Sequence, residues 1–273
     1  MQIIHDLQDM TYLQWTQIRR SSGTAGSFLK AREQIGHRQY YYKLSNYDAI
    51  NGVYGHECVN EIIVDRLLTL LQIPHLHYDL IHARIEVRGQ KYTTYLCRSE
   101  DFKKKGDLKT ALDVYYDMES RTGETPLQFC QRLGFSEYID QMLLIDFLIL
   151  NRDRHGANIE ILKNSFTHEI RLAPLFDHGL SLVFSCYDDA SLQEVNPRED
   201  KAVQCFVGGH SAWENLQLIT RKNRIALPEF DDKMRVYLFD GLENVVSEKW
   251  KGTVWRFLQE RAEMYEDFCD QEC

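Results

Sequence analysis

The sequence holds no apolar run long enough to cross a bilayer. Its longest, Met142 to Leu150, contains Asp146 and falls far short of the roughly 20 residues a spanning helix needs. The first ten residues carry His5, Asp6 and Asp9 and lack the basic, apolar and small-residue order of a signal peptide, so export is not expected. Proline is scarce, at five among 273 residues, and no low-complexity stretch occurs, which excludes a long disordered arm. The seven cysteines form no C-x-x-C pair, and their number is odd, which argues against a disulfide framework or a zinc knuckle. Cys269 and Cys273 lie one helical turn apart but have no histidine beside them. Free thiols and a cytoplasmic setting are the simplest expectation.

Net positive charge is also missing. Forty-one acidic residues against thirty-two basic ones leave −9, the wrong sign for a surface built to neutralise nucleic-acid phosphates, and no direct nucleic-acid binding is expected. One stretch departs from this balance. Between Arg19 and Lys43 stand Arg19, Arg20, Lys30, Arg32, Arg38 and Lys43 against the single acid Glu33, either a solvated positive face or a surface for an anionic ligand.

The pattern of what is present changes near residue 100. Before it, Gln39–Leu44, Asp79–Val87 and Lys91–Arg98 read as strands, the last two joined across Arg88-Gly89-Gln90. His56–Leu71 reads as a helix with Val59, Ile62, Ile63, Leu67, Leu70 and Leu71 at helical spacing, and Pro74 follows as a stop. The polar stretch Glu100–Lys109 would be a connector. After it, Thr125-Pro126 opens a helix through Leu133, Ser136 is expected to cap a buried helix over Tyr138–Leu150, and Ile159–Leu162 and Ile170–Phe176 read as short strands. Trp213 to Ile219 and Trp250 to Phe268 return to helical periodicity, their tryptophans reading as core. No internal repeat is found. The expectation is an α+β, bilobal fold: residues 1–100 form a small antiparallel-sheet lobe with one helix, and 101–273 form a larger, mainly helical lobe.

One constellation carries chemistry. Asp153-Arg154-His155-Gly156-Ala157-Asn158 closes the apolar helix, and Phe176-Asp177-His178-Gly179 follows the second short strand. Phosphoryl transfer needs a carboxylate to orient or deprotonate the attacking hydroxyl and oxygen ligands to hold a hard cation on the phosphates. Asp153 and, five positions on, Asn158 supply one of each from a single loop, and Asp177 stands 19 residues further, room for a hairpin between. Gly179 allows a sharp turn after it. Read blandly, the same residues make a surface ion pair and a β-turn.

The two segments resemble the catalytic region of HipA-like kinases, with the Asp-Arg-His and later Asp-His-Gly also similar to phosphatidylinositol 3-/4-kinases; Leu172-Ala173-Pro174-Leu175-Phe176-Asp177 is closer to HipA relatives. The resemblance implies a protein-kinase-like fold, ATP and Mg2+ as cofactors, Asp153 as the base, and Asn158 and Asp177 as magnesium ligands. His155 would orient the loop or contact phosphate, and His178 would pack beside the metal aspartate, polar packing being the plain alternative for both. Lys43 would steady the phosphates, held by a helix glutamate. Asn60-Glu61 matches the family's pair there, with Glu57 one turn earlier as competitor.

The small-residue loop, including Gly23, Thr24, Ala25, Gly26 and Ser27, would cradle phosphate through its amides. It departs from the commoner HipA pattern, of which only Lys30 retains the lysine. Ser21, Ser22 and Ser27 are open candidates for autophosphorylation. Tyr95, Leu96 and Cys97 would offer backbone to adenine, unless they form an ordinary inner strand. The likeness spans roughly residues 20–265, without a counterpart of the amino-terminal subdomain of full-length HipA. It implies a serine/threonine kinase with a protein substrate and an antitoxin-like or regulatory partner. The same machinery also fits a small-molecule or lipid kinase, or a nucleotide-binding pseudokinase.

Overall fold

The structure is a computed structural model that describes residues 1–17 and 28–271, with the side chains of Thr16 and Gln17 left aside. Its first part is a six-stranded sheet. The strands are β1 (Ile3–Asp9), β2 (Thr16–Gln17), β3 (Leu29–Ile35) and β4 (Arg38–Leu44), then, beyond a small β5 (Asn46–Asp48) and β6 (Gly52–Tyr54) hairpin and helix α1 (Glu57–Leu70), β7 (Tyr78–Val87) and β8 (Gln90–Glu100). Their order is β1-β7-β8-β4-β3-β2, and every pairing is antiparallel except β1 with β7.

Side-chain alternation along β7 divides two cores. Tyr78 and Leu80 face α1, while Ile81, Ala83, Ile85 and Val87 face a second cluster with Met10, Leu13, Leu29, Tyr42 and Leu44. The β7–β8 turn is tighter than expected. Val87 pairs with Gln90, leaving Arg88 and Gly89 at φ 53° and 81°, as a two-residue hairpin turn with both central residues left-handed requires. Helix α1 is buried on all sides from Glu57 to Leu68, so its position follows from partners for its polar residues rather than from one apolar stripe.

Beyond Glu100 the chain builds β9 (Asp107–Ala111), α2 (Leu112–Glu119), α3 (Pro126–Arg132), α4 (Ser136–Leu148), β10 (Asp153–Arg154), β11 (Glu160–Asn164), β12 (Ile170–Leu172), α5 (Asp189–Gln193), β13 (Gln204–Cys205), α6 (Ala212–Leu216), α7 (Asp232–Phe239) and α8 (Glu248–Gln271). Thr125 and Gln128 close a capping box on α3, with Pro126 at its first turn. The expected cap of α4 is corrected by one residue: Phe135 holds that position without a side-chain bond, and Ser136 is already helical. Strands β9, β11 and β12 form a small antiparallel sheet, and a parallel pair, β10 with β13, flanks the loop at the end of α4. One hydrophobic core runs from α1 through α4 to α8. Among the described residues, no helix is long and apolar enough to cross a membrane.

Candidate active site between the sheet and the helical part

Lys43 stands one residue before the end of β4, with its side chain turned toward α1. Its Nζ lies 3.1 Å from Glu61 Oε1 and also bonds Asp177 Oδ1. Glu61 uses its other oxygen to accept the His178 backbone N–H at 2.9 Å, so one fully buried carboxylate ties the lysine to the loop that holds Asp177. The choice between the two helix acids is settled by geometry. Glu57 is also buried, but its Oε2 accepts from the Asn46 N–H at 3.2 Å. Neither acid faces solvent.

Charge complementarity is strong here. Although burial opposes it, the carboxylates of Asp177 and Glu61 hold the Lys43 ammonium well above its ordinary pKa. Burial likewise opposes ionisation of Asp177, and Lys43 with Lys30 outweighs it, pulling that carboxyl below its usual range. Lys30, the cross-strand partner of Lys43, reaches to 3.8 Å from Asp177 Oδ2. Phe28 places its ring 4.7 Å beneath the Lys43 ammonium.

The Asp177 loop is held in a strained form. Asp177 sits at φ 60°, and Leu150 and Leu182 take φ 48° and 55° on either side of the site, a left-handed conformation that non-glycine residues adopt at a cost. Several bonds hold it. The Asp177 N–H donates to Tyr78 Oη at 3.3 Å, and Asn60 Nδ2 donates to the carbonyls of Gly179 and Ser181 at 2.9 and 3.0 Å. Gly179 passes so close to α1 that an added Cβ would lie 3.1 Å from the Glu57 Cβ.

Asp153 lies on the loop that leaves α4. An arginine beneath it sets the loop: Arg154, 1 % exposed, makes a two-pronged pair with Asp146 at 2.8 Å each and donates to the carbonyls of Phe176 and Asn158 at 2.9 and 3.2 Å. Asp146 also accepts from Asn151 Nδ2 at 2.9 Å, and Asn151 Oδ1 accepts the Asp153 N–H at 3.2 Å. Deeper still, Arg261 of α8 donates to Phe147 O at 2.6 Å and so satisfies a carbonyl at the end of α4. A buried ladder of charges thus fixes a surface loop.

On that loop Asp153 Oδ1 is buried without a hydrogen-bond partner, and Oδ2 stands 3.7 Å from His155 Nε2. Burial, with the nearby charge of Asp177, raises the Asp153 pKa against the opposing pull of His155. Asn158 Nδ2 donates to Asp153 O at 2.8 Å, which leaves its amide oxygen for another partner. His155 Nδ1 accepts the Ala157 N–H at 3.1 Å and stabilises the short 3-10 turn Gly156–Asn158. His178 is buried and kept neutral by burial and by the Arg154 charge.

Gly156 supports the turn against α2, where an added Cβ would lie 2.5 Å from the Asp113 Cβ and 2.9 Å from its backbone nitrogen. Gly156→Ala should therefore lower stability by about 1–3 kcal/mol, read as a fall in the urea midpoint.

The structure brings Asp153, His155, Asn158, Asp177, Lys43 and Glu61 to one region. Gly23, Thr24, Ala25, Gly26 and Ser27 lie outside the described residues. Leu96 pairs with Ile81 and Leu44, and Cys97 with Leu80 and Lys43, so these two lie in an inner strand, while Tyr95 pairs with His82 on one side. The chain leaves the sheet only after Glu100, and residues 101–106 make the link. Sequence reasoning also missed Tyr78, Asn60 as a clamp, and β13, where Gln204 and the next residue after the strand, Phe206, donate their N–H groups to Arg152 O and Arg154 O at 3.0 and 2.9 Å. A signal for the Asp146–Arg154 pair existed, because Asp146 is the single acid in the apolar run Met142–Leu150 and a charge there requires a partner.

A sheet with one crossing helix over a helical base, with a lysine–glutamate pair meeting an aspartate at their junction, defines a bilobal kinase fold. Among solved structures the chain is similar to the Helicobacter pylori proinflammatory kinase CtkA, with TM-score 0.65, 17% identity, and 96% of this chain and 98% of that one covered. Weaker likenesses are to the HipA of a Shewanella oneidensis MR-1 toxin–antitoxin complex with HipB and operator DNA (TM-score 0.46, 14% identity, 91% and 67% covered) and to the Golgi casein kinase (0.43, 12%, 90% and 72%). No protein-family model and no curated protein sequence matches the chain.

Proposed function

We propose that this protein is a Mg-ATP-dependent phosphotransferase of the HipA-like type that phosphorylates serine or threonine hydroxyls of a protein. The observation that carries the reading is the buried Lys43–Glu61–Asp177 group beside the orphaned carboxylate oxygen of Asp153. The CtkA-like fold supports it.

The residues present fit a nucleotide-bound magnesium. Asp177 and Asn158 offer the carboxylate and amide oxygens that a hard cation takes. Bound there, Mg2+ would screen the phosphate charges during transfer. Asp153, with one oxygen unengaged and its pKa raised, would orient the acceptor hydroxyl and take its proton. Lys43, held charged by Glu61 and Asp177, would bind phosphate oxygens, and Lys30 would add a second positive charge on the same side. His155, which accepts the Ala157 N–H, would orient the loop that carries Asp153.

Labelled ATP offered to the purified protein, alone and in lysate, should place label on protein, with Ser21, Ser22 or Ser27 as sites in the chain itself. Asn158→Ala and Asp177→Asn should each reduce labelling by about 100-fold or more while the unfolding transition remains cooperative. Label confined to a metabolite would replace the protein acceptor with a small molecule. Transfer undiminished in both variants would end the assignment.

A further inference from the structure

Asp65, His75 and His77 stand outside the group just described. Asp65 lies in the buried length of α1, and the turn after the helix returns the chain so that both histidines meet it. His75 Nε2 and His77 Nδ1 each lie 3.0 Å from the same oxygen, Asp65 Oδ1, and the three potential ligand atoms lie within 4.8 Å of one another. Asp65 Oδ2 accepts the Tyr78 N–H at 2.7 Å, which fixes the carboxylate.

The other nitrogen of His75 identifies the chemistry. Nδ1 is 2.6 Å from Ile73 O, and a carbonyl can only accept, so Nδ1 carries the proton. In the neutral ring Nε2 then turns a lone pair toward a carboxylate oxygen that also only accepts. Thr69 Oγ1, 3.4 Å from Nε2, gives its proton to Asp65 O and brings no relief. A cation shared by these lone pairs resolves the conflict. A ring N–H donated to a backbone carbonyl is also the arrangement that fixes the tautomer of a metal-bound histidine.

We propose that Asp65, His75 and His77 bind one divalent transition-metal ion of the zinc class. Two imidazoles and a carboxylate suit Zn2+, Co2+ or Ni2+ rather than Mg2+. The His75 side chain is 5% exposed and that of His77 64%, so the site opens to solvent on one side, where water or a further ligand completes the coordination. The ion would brace the 73–77 turn. That turn holds Leu175, two residues before Asp177, through Leu76 N–H to Leu175 O at 2.8 Å and Leu175 N–H to Pro74 O at 3.2 Å.

The test titrates the chelator-stripped full chain with Co2+, then Zn2+, under excess Mg2+, beside His77→Ala, which alters an exposed side chain and whose cooperative unfolding is checked first. One Co2+ per chain with visible ligand-field absorption, displaced by Zn2+ and weakened more than about tenfold in His77→Ala, is the expected result. At a hundredfold excess over Kd, Zn2+ should raise Tm by about 5–10 °C in the wild type and not in the variant. Uptake equal in both proteins would place the ion on thiols and overturn the proposal. So would absence of uptake together with an imidazolium NMR signature for His75, since a proton would then hold that position. None of these outcomes depends on phosphotransfer.

Discussion

Asp153→Asn should lower kcat by about 10²–10⁴-fold while leaving KM for ATP within a few-fold and the unfolding midpoint unchanged or raised. The two halves of this result share one cause. The Asp153 carboxylate is half-buried with one oxygen unengaged, and burial raises its pKa, so its charge is costly to the fold. Asparagine keeps the shape and removes the charge. The bonds that the Asp153 backbone gives to Asn151 Oδ1 and accepts from Asn158 Nδ2 remain, and the 3-10 turn stays in place. Turnover within tenfold of the wild type, measured by steady-state phosphate transfer, would remove Asp153 from the role of base. A loss of activity matched by a lower melting temperature would make the residue structural instead.

Lys43→Met should lower stability by about 3 kcal/mol and abolish transfer. Removing the ammonium leaves Glu61 buried and Asp177 without its nearest cation, and an uncompensated buried carboxylate costs far more than the ion pair contributes. Urea unfolding measures it. The same pair makes a pH signature. Asp177 has a folded pKa depressed below the ordinary 3.8, so its stabilising contribution is complete above that value and is lost as pH falls through the lower, folded one. The wild type should therefore lose stability on acidification below about pH 4 more steeply than Lys43→Met. Parallel curves for the two proteins would show that Asp177 does not depend on Lys43 for its ionisation.

Much of the site was legible because its elements are local. The spacing from Asp153 to Asn158 lies within one loop, and the apolar helix ahead of it could be read from composition alone. Asp177 and Gly179 followed a recognisable strand. The exact partner of Lys43 was less accessible: Glu57 and Glu61 lie one turn apart on a helix buried all round, so no apolar face indicates which acid points to the lysine. The end of β8 was misjudged for a related reason. Tyr95, Leu96 and Cys97 read as the end of a strand, but the strand continues to Glu100 because Tyr40 and Tyr41 of β4 pair with Glu100 and Ser99.

By itself the sequence indicated a strand-rich first part and a mainly helical remainder, put Asp153 and Asn158 on one loop with Asp177 further on, and put Lys43 in a strand, since each of these rests on short-range periodicity or spacing. Only the tertiary structure decided that Glu61 rather than Glu57 holds Lys43, that Arg154 and Asp146 fix the loop from beneath, and that Asp65 meets His75 and His77. The physical reason is that a buried charge takes its partner from whichever element packs against it, and that neighbour is set by the folding of the whole chain.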